Sequence, residues 1–356
     1  MKEQMYESDV CAWWEEMKCK LKAVVIAFAK RVGRERKREQ RELQRRLGIE
    51  QERAEGIPGY NITEYLRVRE ELREVERRKC EGAVVRSKAQ YVIEGERSTA
   101  YFLGLEKRKQ EKGKIVELVN ENGEKVTDLV GIMETVQAFY TDLYTSVGVN
   151  EECMDQVLGA VEEREITEEG MKWDSGLTVE EIKEAIRGLN LNKSPGSDGL
   201  TVELYRAFVD LLAPILGRVY ESMERRKIVP DSMGLGVLTL LYKGKGEKNS
   251  LKNYRALTLL NCDYKILTKA LANRMNKVMA SIIEPTQAYG VPGRDVTDTL
   301  CTIRDVVKDM REGGGVMLCL DLNKAFDRVE HVFLLKTMER LGVGERMRSW
   351  VKLMYE

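Results

Sequence analysis

The sequence is short of the residues on which several common catalytic and metal centres depend. It has one histidine, His331, which argues against Ser-His or Cys-His catalysis and against histidine-rich metal sites. Its 7 cysteines are odd in number and include no Cys-x-x-Cys pair, which argues against a zinc site or a disulfide framework. We therefore expect a reducing, intracellular location, nuclear and/or cytoplasmic.

Long apolar runs, proline and an excess of one charge are lacking as well. No run approaches the roughly 18 apolar residues of a membrane-spanning helix, so we expect no membrane contact. Only 6 prolines are present, which excludes a Pro-rich disordered protein. The 59 basic residues balance 59 acidic ones, so the net charge indicates no class of partner.

The charged residues of the chain are instead clustered into segments of one predominant sign. Residues 30–46 carry nine Lys/Arg against three Glu, net +6, and residues 151–184 carry twelve acids against three bases, net −9. Residues 225–277 carry twelve bases against three acids, net +9. The third block crosses strand, turn and helix patterns, so it predicts a surface that faces phosphate groups. The first block is most simply a solvated helix face.

The apolar periodicity predicts an α+β protein that begins with a long helical hairpin. A stripe over residues 14–32, at steps of three and four, predicts a helix that is capped by Ser8 and stops near Gly48. A second stripe over residues 65–75 predicts the returning arm. The simplest expectation is that the two arms pack on each other, although the first stripe could also bind a partner helix.

Local signals predict the elements that follow. Asn122-Gly123 between short apolar runs predicts a β-hairpin, and a helix over 129–145 comes next. Thr178 and Glu181 form a capping box that opens another helix. Further helices are predicted over 201–227, 263–283, 297–311 and from 330 onward, with strands over 237–243, 254–259 and 316–321, the last one buried.

The strongest local feature is the segment Val316-Met-Leu-Cys-Leu-Asp-Leu-Asn-Lys-Ala-Phe-Asp327. An apolar strand would deliver the Asp321 carboxylate at its carboxyl end, where the main-chain carbonyl of Leu322 could act as a second oxygen ligand for a hard cation such as Mg²⁺. Phe326 could lie beside whatever Asp321 holds. The spacing equally suits an aspartate that ends a strand and caps the next helix.

Lys243 and Arg255 flank a loop rich in Gly and Lys on two predicted strands. In a hairpin the two cations would lie near each other, and together they suit a triphosphate, with Arg as a fork and Lys as a point charge. On the residues alone, an ordinary basic surface hairpin is the simpler interpretation.

Two further loops have features of both turns and binding sites. In residues 193–199, Pro-Gly and Asp-Gly are turn dipeptides, so Asp198 is better explained as a turn or cap residue than as a metal ligand. In residues 287–294, the glycines permit either close approach to a nucleic-acid backbone or a tight turn.

These segments, in this order, resemble the reverse transcriptases of non-LTR (LINE-type) retrotransposons. The resemblance covers about residues 85–356, and the set is specific although each piece alone is weak. The matching pieces are Asn192-Lys-Ser-Pro-Gly-Ser-Asp-Gly199, Leu241-Tyr-Lys243, Asn253-Tyr-Arg-Ala-Leu-Thr-Leu-Leu260, Asp263-Tyr-Lys-Ile-Leu267, Ala270-Leu-Ala-Asn-Arg274, Gln287 to Arg294 and Leu320-Asp-Leu-Asn-Lys-Ala-Phe-Asp327, preceded by Tyr91 to Arg108, the Asn122-Gly123 hairpin and Phe139-Tyr-Thr-Asp-Leu-Tyr-Thr-Ser146.

The resemblance implies the fingers and part of the palm of a right-hand polymerase that joins dNTPs to a DNA primer on an RNA template. The implied organisation is a basic helical hairpin and linker (1–84), a pre-polymerase linker (85–150), an acidic linker (151–176), fingers (177–300) and the start of the palm (301–356).

The resemblance also assigns roles to individual residues. Asp321 matches the first catalytic aspartate, a ligand of two Mg²⁺ ions, with the Leu322 carbonyl as a further ligand. Phe326 matches the aromatic residue that excludes a ribose 2′-hydroxyl, and Lys243 and Arg255 match the residues that hold the incoming triphosphate. We also expect four residues to contact nucleic acid: Lys193, Lys245, Gln287 and Arg294.

The sequence departs from the family pattern at three places. Arg255-Ala256 stands where Arg-Pro is usual, and Gln287-Ala-Tyr-Gly290 stands where Gln-x-Gly-Phe is frequent, which leaves the role of Gln287 open. The aromatic-x-Asp-Asp tetrapeptide that brings the remaining catalytic carboxylates does not occur in these residues. We therefore expect this polypeptide alone to lack polymerase activity. The alternatives are a non-catalytic RNA- or DNA-binding module and a helical protein that binds partners through the 14–32 stripe.

Overall fold

The structure is a computed structural model that describes residues 9–87, 114–161 and 175–355. By its internal contacts the chain forms two compact units. The unit made of residues 17–132 and 240–256 is called the arm unit, and the unit made of residues 1–16, 133–239 and 257–356 is called the core unit.

The described residues are mostly helical, with two small sheets. No helix in the described ranges has the length and apolar character needed to cross a bilayer. The elements are α1 (Val10–Gly56), α2 (Thr63–Ser87), β1 (Leu118–Val119), β2 (Lys125–Val126), α3 (Leu129–Tyr144), α4 (Glu151–Gly159), α5 (Val179–Gly188), α6 (Val202–Ala207), α7 (Val209–Arg226), α8 (Asp231–Gly234), β3 (Val237–Tyr242), β4 (Tyr254–Leu259), α9 (Cys262–Asn276), α10 (Met279–Ile282), α11 (Val296–Gly313), α12 (His331–Arg340) and α13 (Glu345–Tyr355), with a short 3₁₀ turn at Leu251–Asn253 before β4.

The predicted hairpin of two long helices is present in the arm unit. Near the turn, Leu43 and Val68 are buried, and the Arg46 guanidinium lies 2.9 Å from the Glu64 carboxylate of the opposite arm. Asn61 accepts a hydrogen bond of 2.9 Å from the backbone N–H of Thr63 and so helps to open α2.

Two details of α1 differ from the sequence prediction. The helix continues through Gly48 to Gly56, because a lone glycine costs only about 1 kcal/mol in a helix and the flanking residues are good helix formers. Asp9 acts as a cap, since its carboxylate accepts a hydrogen bond of 3.1 Å from Ala12 N–H. The predicted cap Ser8 lies outside the described residues.

The centre of the core unit is a helical layer in which α5 packs against α7 and α9. Ile182, Leu216 and Ile266 are fully buried there. The predicted capping box at the start of α5 is confirmed, because Thr178 and Glu181 exchange hydrogen bonds between side chain and backbone. α12 packs against α4 and α13 in the same unit.

The start of α1 belongs to the core unit and is fixed there by buried polar contacts. Trp14 and Asp263 are both fully buried, and the Trp14 indole N–H donates a hydrogen bond of 2.9 Å to the Asp263 carboxylate. The Tyr220 hydroxyl donates a second hydrogen bond, of 2.8 Å, to the Asp263 main-chain carbonyl. Burial of a carboxylate is tolerated only when it receives a hydrogen-bond donor, so the Trp14 contact anchors α1.

The prediction of a buried strand over residues 316–321 is wrong. These residues form no regular element, and Val316, Leu318 and Leu320 are 94%, 76% and 81% exposed. A strand requires a partner for its backbone N–H and C=O groups, and within the described residues none pairs with this segment. Apolar surface is therefore exposed around residues 316–320.

Two other predicted helices are present, but each of them is interrupted. The predicted helix over 201–227 is divided at Phe208 into α6 and α7, and the predicted helix over 263–283 is divided into α9 and α10. The hairpin around Asn122-Gly123 is confirmed, with Leu118 opposite Val126 in an antiparallel pair. The predicted helix over 129–145 corresponds to α3.

Candidate functional site

The β3–β4 hairpin brings the two predicted triphosphate-binding residues to one face. Lys243 N–H donates a hydrogen bond of 2.8 Å to the Asn253 carbonyl, and the rings of Tyr242 and Tyr254 lie 5.6 Å apart, so these residues face each other across the pair. Side chains alternate along a strand, so Lys243 and Arg255 lie diagonally on the same face, opposite to the two tyrosines. Diagonal neighbours of this kind are about 7–8 Å apart.

Both cations of this face are exposed to solvent. The Lys243 ammonium donates a hydrogen bond of 2.7 Å to the Lys252 carbonyl, which orients it while leaving further N–H donors for a ligand. Among the described residues no acceptor lies within hydrogen-bond distance of the Arg255 guanidinium. Lys245, in the loop between the strands, is exposed as well.

The loop over residues 244–252 is held in shape by its own polar contacts. The Tyr254 hydroxyl donates to the Lys248 carbonyl at 2.7 Å, and the Asn253 amide donates to the Glu247 carbonyl at 2.9 Å. Gly246 has φ +76°, and a Cβ there would meet the Asn253 amide at 2.6 Å, so glycine is required at this position. These contacts hold the loop in one conformation.

The small β1–β2 hairpin also fastens this loop, a contact that the sequence did not predict. Val119 N–H donates a hydrogen bond of 2.8 Å to the Asn249 carbonyl, and the Asn249 amide donates one of 3.2 Å to the Glu117 carboxylate. Hydrogen bonds from Asn249 and then Lys125 lower the pKa of Glu117. The Gly-Lys loop is thus braced by a strand about 130 residues earlier in the chain.

Asp321 and its neighbours form an exposed segment of the core unit. Asp321 is exposed, and Leu322 and Phe326 are 78% and 92% exposed. Asp321 therefore does not end a strand, and no regular helix begins in the six residues after it. The carboxylate and the aromatic ring are both accessible to a ligand.

The segment after Asp321 is held against α3 and against Ser146, two residues beyond the end of that helix. The Lys324 ammonium lies 4.3 Å from the centroid of the Phe139 ring, and the Ser146 hydroxyl donates a hydrogen bond of 2.8 Å to the Glu330 carboxylate. Burial, together with the nearby Asp327 carboxylate, raises the pKa of Tyr144. Both stretches, residues 139–146 and 320–327, belong to the family resemblance, but the sequence gave no indication that they are in contact.

The described residues do not form a complete metal centre. No group of three or more His, Cys, Asp or Glu side chains within them is arranged to hold a metal ion. Asp321 offers one carboxylate, whereas magnesium is held in proteins by several oxygen ligands in near-octahedral geometry. The assignment of Asp321 and Leu322 as magnesium ligands therefore stays a prediction.

The loop over residues 192–199 is anchored by Asn261, which lies between β4 and α9. Asn261 is fully buried, accepts from Asp198 N–H at 3.2 Å and donates to the Ser232 carbonyl at 2.7 Å. The Asp198 carboxylate accepts from Leu200 N–H at 2.9 Å, which agrees with its interpretation as a turn residue. Lys193 is exposed on this loop.

The loop over residues 287–294 is closed by Arg294. Its guanidinium donates to four main-chain carbonyls, those of Ala280 (3.0 Å), Ile283 (2.7 Å), Glu284 and Gln287 (2.8 Å). This arrangement engages the guanidinium within the protein and favours a structural role. Gln287 is exposed and donates to the Tyr289 carbonyl at 3.1 Å. Its contact with nucleic acid stays a prediction.

Comparisons with known proteins found a matching family and several similar sequences. Residues 245–356 match the family described as "Reverse transcriptase (RNA-dependent DNA polymerase)". Over 349 residues, or 96% of the chain, the sequence is 34% identical to the 149 kDa protein of transposon TX1 from Xenopus laevis.

Two further relatives come from Drosophila melanogaster. The chain is 28% identical over 172 residues to the probable RNA-directed DNA polymerase from transposon BS, which covers 46% of this chain and 19% of that protein. It is 27% identical over 176 residues to the RNA-directed DNA polymerase from mobile element jockey, which covers 47% of this chain and 19% of that protein.

The chain therefore contains, over residues 245–356, a segment of the reverse transcriptase family. Within that family it is of the LINE type, the reverse transcriptases of non-LTR retrotransposons. It spans 26% of the length of the TX1 protein.

Proposed function

We propose that this chain is part of an RNA-directed DNA polymerase of a non-LTR retrotransposon, and that it contributes the site that receives the incoming deoxynucleoside triphosphate. The single observation that supports this most is the β3–β4 hairpin, which presents Lys243 and Arg255 on one exposed face beside a preorganised Gly-Lys loop. In the right-hand polymerase architecture that we propose, the hairpin belongs to the fingers and Asp321 to the start of the palm.

The chemistry of the two cations fits a triphosphate. The planar Arg255 guanidinium can donate two parallel hydrogen bonds to a phosphate, and the Lys243 ammonium adds a point charge. Because both groups are exposed and the loop is already braced, binding orders few side chains, and that limits its entropic cost. From the family resemblance we propose separately that Phe326 excludes a ribose 2′-hydroxyl, and that Asp321 with the Leu322 carbonyl contributes to a magnesium site.

Equilibrium titration of the chain with a fluorescent dNTP tests the nucleotide site. We expect Lys243→Ala and Arg255→Ala each to weaken binding about 10- to 100-fold, the effect of losing one charge-assisted hydrogen-bonding group worth about 1.5–3 kcal/mol. The matched control is Lys252→Ala, which removes a cation of the same loop but keeps the carbonyl that orients Lys243. Equal affinity in all four proteins would reject the nucleotide site.

The titration also separates a triphosphate site from a general anion site. The corresponding diphosphate and monophosphate should bind progressively more weakly to the wild-type chain, since each phosphate removed takes away charge and acceptors. If inorganic sulfate displaced the dNTP at equal concentration, the hairpin would be an ordinary basic surface, as the residues alone had suggested.

A further inference from the structure

We propose that one face of helix α1 binds the phosphate backbone of a nucleic-acid duplex, independently of the polymerase site. The face consists of six exposed basic residues and is called the basic face: Lys30, Arg34, Lys37, Arg38, Arg41 and Arg45. Neither the family match, which begins at residue 245, nor the nucleotide site involves this part of the chain.

The spacing of these residues puts all six on one side of the helix. At about 100° per residue their directions fall within an arc of about 100°, and with a rise of about 1.5 Å per residue they extend over about 22 Å. The three glutamates of the stretch, at positions 35, 39 and 42, lie on the adjoining sector. Positive charge is therefore concentrated in a continuous row and is not evenly mixed with negative charge.

The opposite side of the helix makes the protein contacts. Leu43, which is 7% exposed, lies about 180° around the helix from the centre of the basic face. Arg46, about 120° from that centre, pairs with Glu64 of α2 at 2.9 Å. The packing of the arm unit thus leaves the basic face in solvent.

The charge of the basic face is largely uncompensated. Arg45 pairs with Glu42 at 2.8 Å, but within the described ranges no carboxylate lies within ion-pair distance of Lys37, Arg38 or Arg41. A shallow groove of about 430 Å³ runs along the face, lined by Arg34, Lys37, Arg38, Arg41, Glu42 and Arg45.

The neighbouring helix α2 shows the arrangement that is usual for an exposed helix, in which basic side chains pair with acidic ones. There Arg67 pairs with Glu64 at 2.7 Å, Arg77 with Glu74 at 2.7 Å and Arg78 with Glu74 at 3.2 Å. Pairs of this kind at three- and four-residue spacing stabilise an exposed helix. On α1, by contrast, Lys37, Arg38 and Arg41 have no carboxylate within ion-pair distance among the described residues, and mutual repulsion of like charges disfavours the helix unless a polyanion binds.

Duplex nucleic acid is the occupant that the basic face fits best. A straight row of Arg and Lys matches the regular phosphate spacing of a duplex backbone. Proteins that bind single strands without sequence preference generally have aromatic side chains on which the bases stack. Residues 30–45 contain no aromatic residue, which argues against a single strand as the ligand. Contacts from Arg and Lys to phosphates carry no sequence information, so we expect binding without sequence preference.

The test is a titration of the whole chain with an RNA–DNA hybrid duplex of about 25 base pairs, between about 50 and 200 mM salt. The test variant is Lys37→Gln/Arg38→Gln/Arg41→Gln. The matched control is Arg69→Gln/Arg73→Gln/Lys79→Gln, which removes the same charge from exposed positions on α2. Glutamine is a good helix former, and unchanged far-ultraviolet circular dichroism will confirm that both variants are folded.

We expect the basic-face variant to bind at least about tenfold more weakly and to show a log K against log salt slope reduced by about 2.7, or 0.9 for each lost contact. The control should change affinity less than about threefold. Wild-type affinity in the basic-face variant would overturn the proposal, and so would equal losses in the two variants. Equal affinity for a single strand would reject the duplex as the occupant. Since the assay contains no dNTP, its outcome is independent of the nucleotide site.

Discussion

The Lys324 ammonium lies 4.3 Å from the centroid of the Phe139 ring, within the range of a cation–π interaction. This pair joins helix α3, which precedes the polymerase match, to the segment that carries Asp321 and Phe326. The hydrogen bond between Ser146 and Glu330 adds a second point of attachment a few residues further along each stretch. Residues 139–146 therefore act as a support for the segment that follows Asp321.

Substitution of Phe139 should loosen this segment. Phe139→Ala removes the aromatic face and should cost about 0.5–2 kcal/mol of local stability. Limited trypsin digestion measures the effect, and we expect faster cleavage after Lys324 and Arg328. Gln137→Ala, on the same helix and exposed, should leave the cleavage rate unchanged. Equal cleavage of Phe139→Ala and the wild-type chain would contradict the supporting role.

The pair Arg274–Glu181 should make stability depend on pH. Burial raises the pKa of Glu181, but hydrogen bonds from Arg274 and Thr178 outweigh that effect and lower it to about 2. A carboxylate with a depressed folded-state pKa stabilises fully above its unfolded value, near 4.5, and progressively less as the pH falls towards 2.

Glu181→Gln tests this dependence. It should lower the free energy of unfolding by about 2 kcal/mol at pH 7, a figure reduced for the partial exposure of Glu181, and should flatten the decline in stability below about pH 4.5. Urea unfolding at several pH values provides the measurement. Glu180→Gln, its exposed neighbour, should keep the wild-type pH profile. Parallel profiles for Glu181→Gln and the wild-type chain would count against the pair.

Gly196 should be essential to the loop that carries Lys193. A Cβ at this position would meet the Asn261 backbone nitrogen at 2.5 Å and the Leu260 carbonyl carbon at 2.6 Å, and neither backbone atom can move aside easily. Gly196→Ala should therefore cost about 1–3 kcal/mol in urea unfolding, the usual range for overpacking.

Gly188→Ala is the control for this prediction. Its added methyl group would meet only the flexible end of Lys269, at 3.6 Å, and alanine favours the helix, so stability should be equal or slightly higher. If Gly196→Ala were as stable as Gly188→Ala, the close packing of the loop on Asn261 would be wrong.

Features that depend on neighbours in sequence could be predicted, and features that depend on distant partners could not. The Thr178–Glu181 capping box and the Asn122-Gly123 hairpin are complete within a few residues, and both are confirmed. The Trp14–Asp263 hydrogen bond joins residues 249 positions apart, and no local pattern indicates it. The strand predicted over 316–321 was wrong because apolar, β-prone composition does not supply a pairing partner.

In the candidate site, too, the local features could be predicted from the sequence and the contacts between distant residues could not. Composition and turn residues placed Lys243 and Arg255 beside a hairpin loop, and the strand register then put them on one face. The bracing of that loop by Asn249 and Glu117 depends on a contact across the chain and could not be read from either segment alone. Their roles in binding came from the ordered resemblance to a family.

We propose that this chain positions a deoxynucleoside triphosphate against an RNA template. The most direct test is ultraviolet cross-linking of a labelled photoreactive dNTP to the chain assembled on four RNA template–DNA primer duplexes that differ only in the next template base. We predict that cross-linking follows the complementary base and is lost in the Lys243→Ala/Arg255→Ala variant. Cross-linking that is equal on all four templates, or unchanged in the variant, would contradict the account.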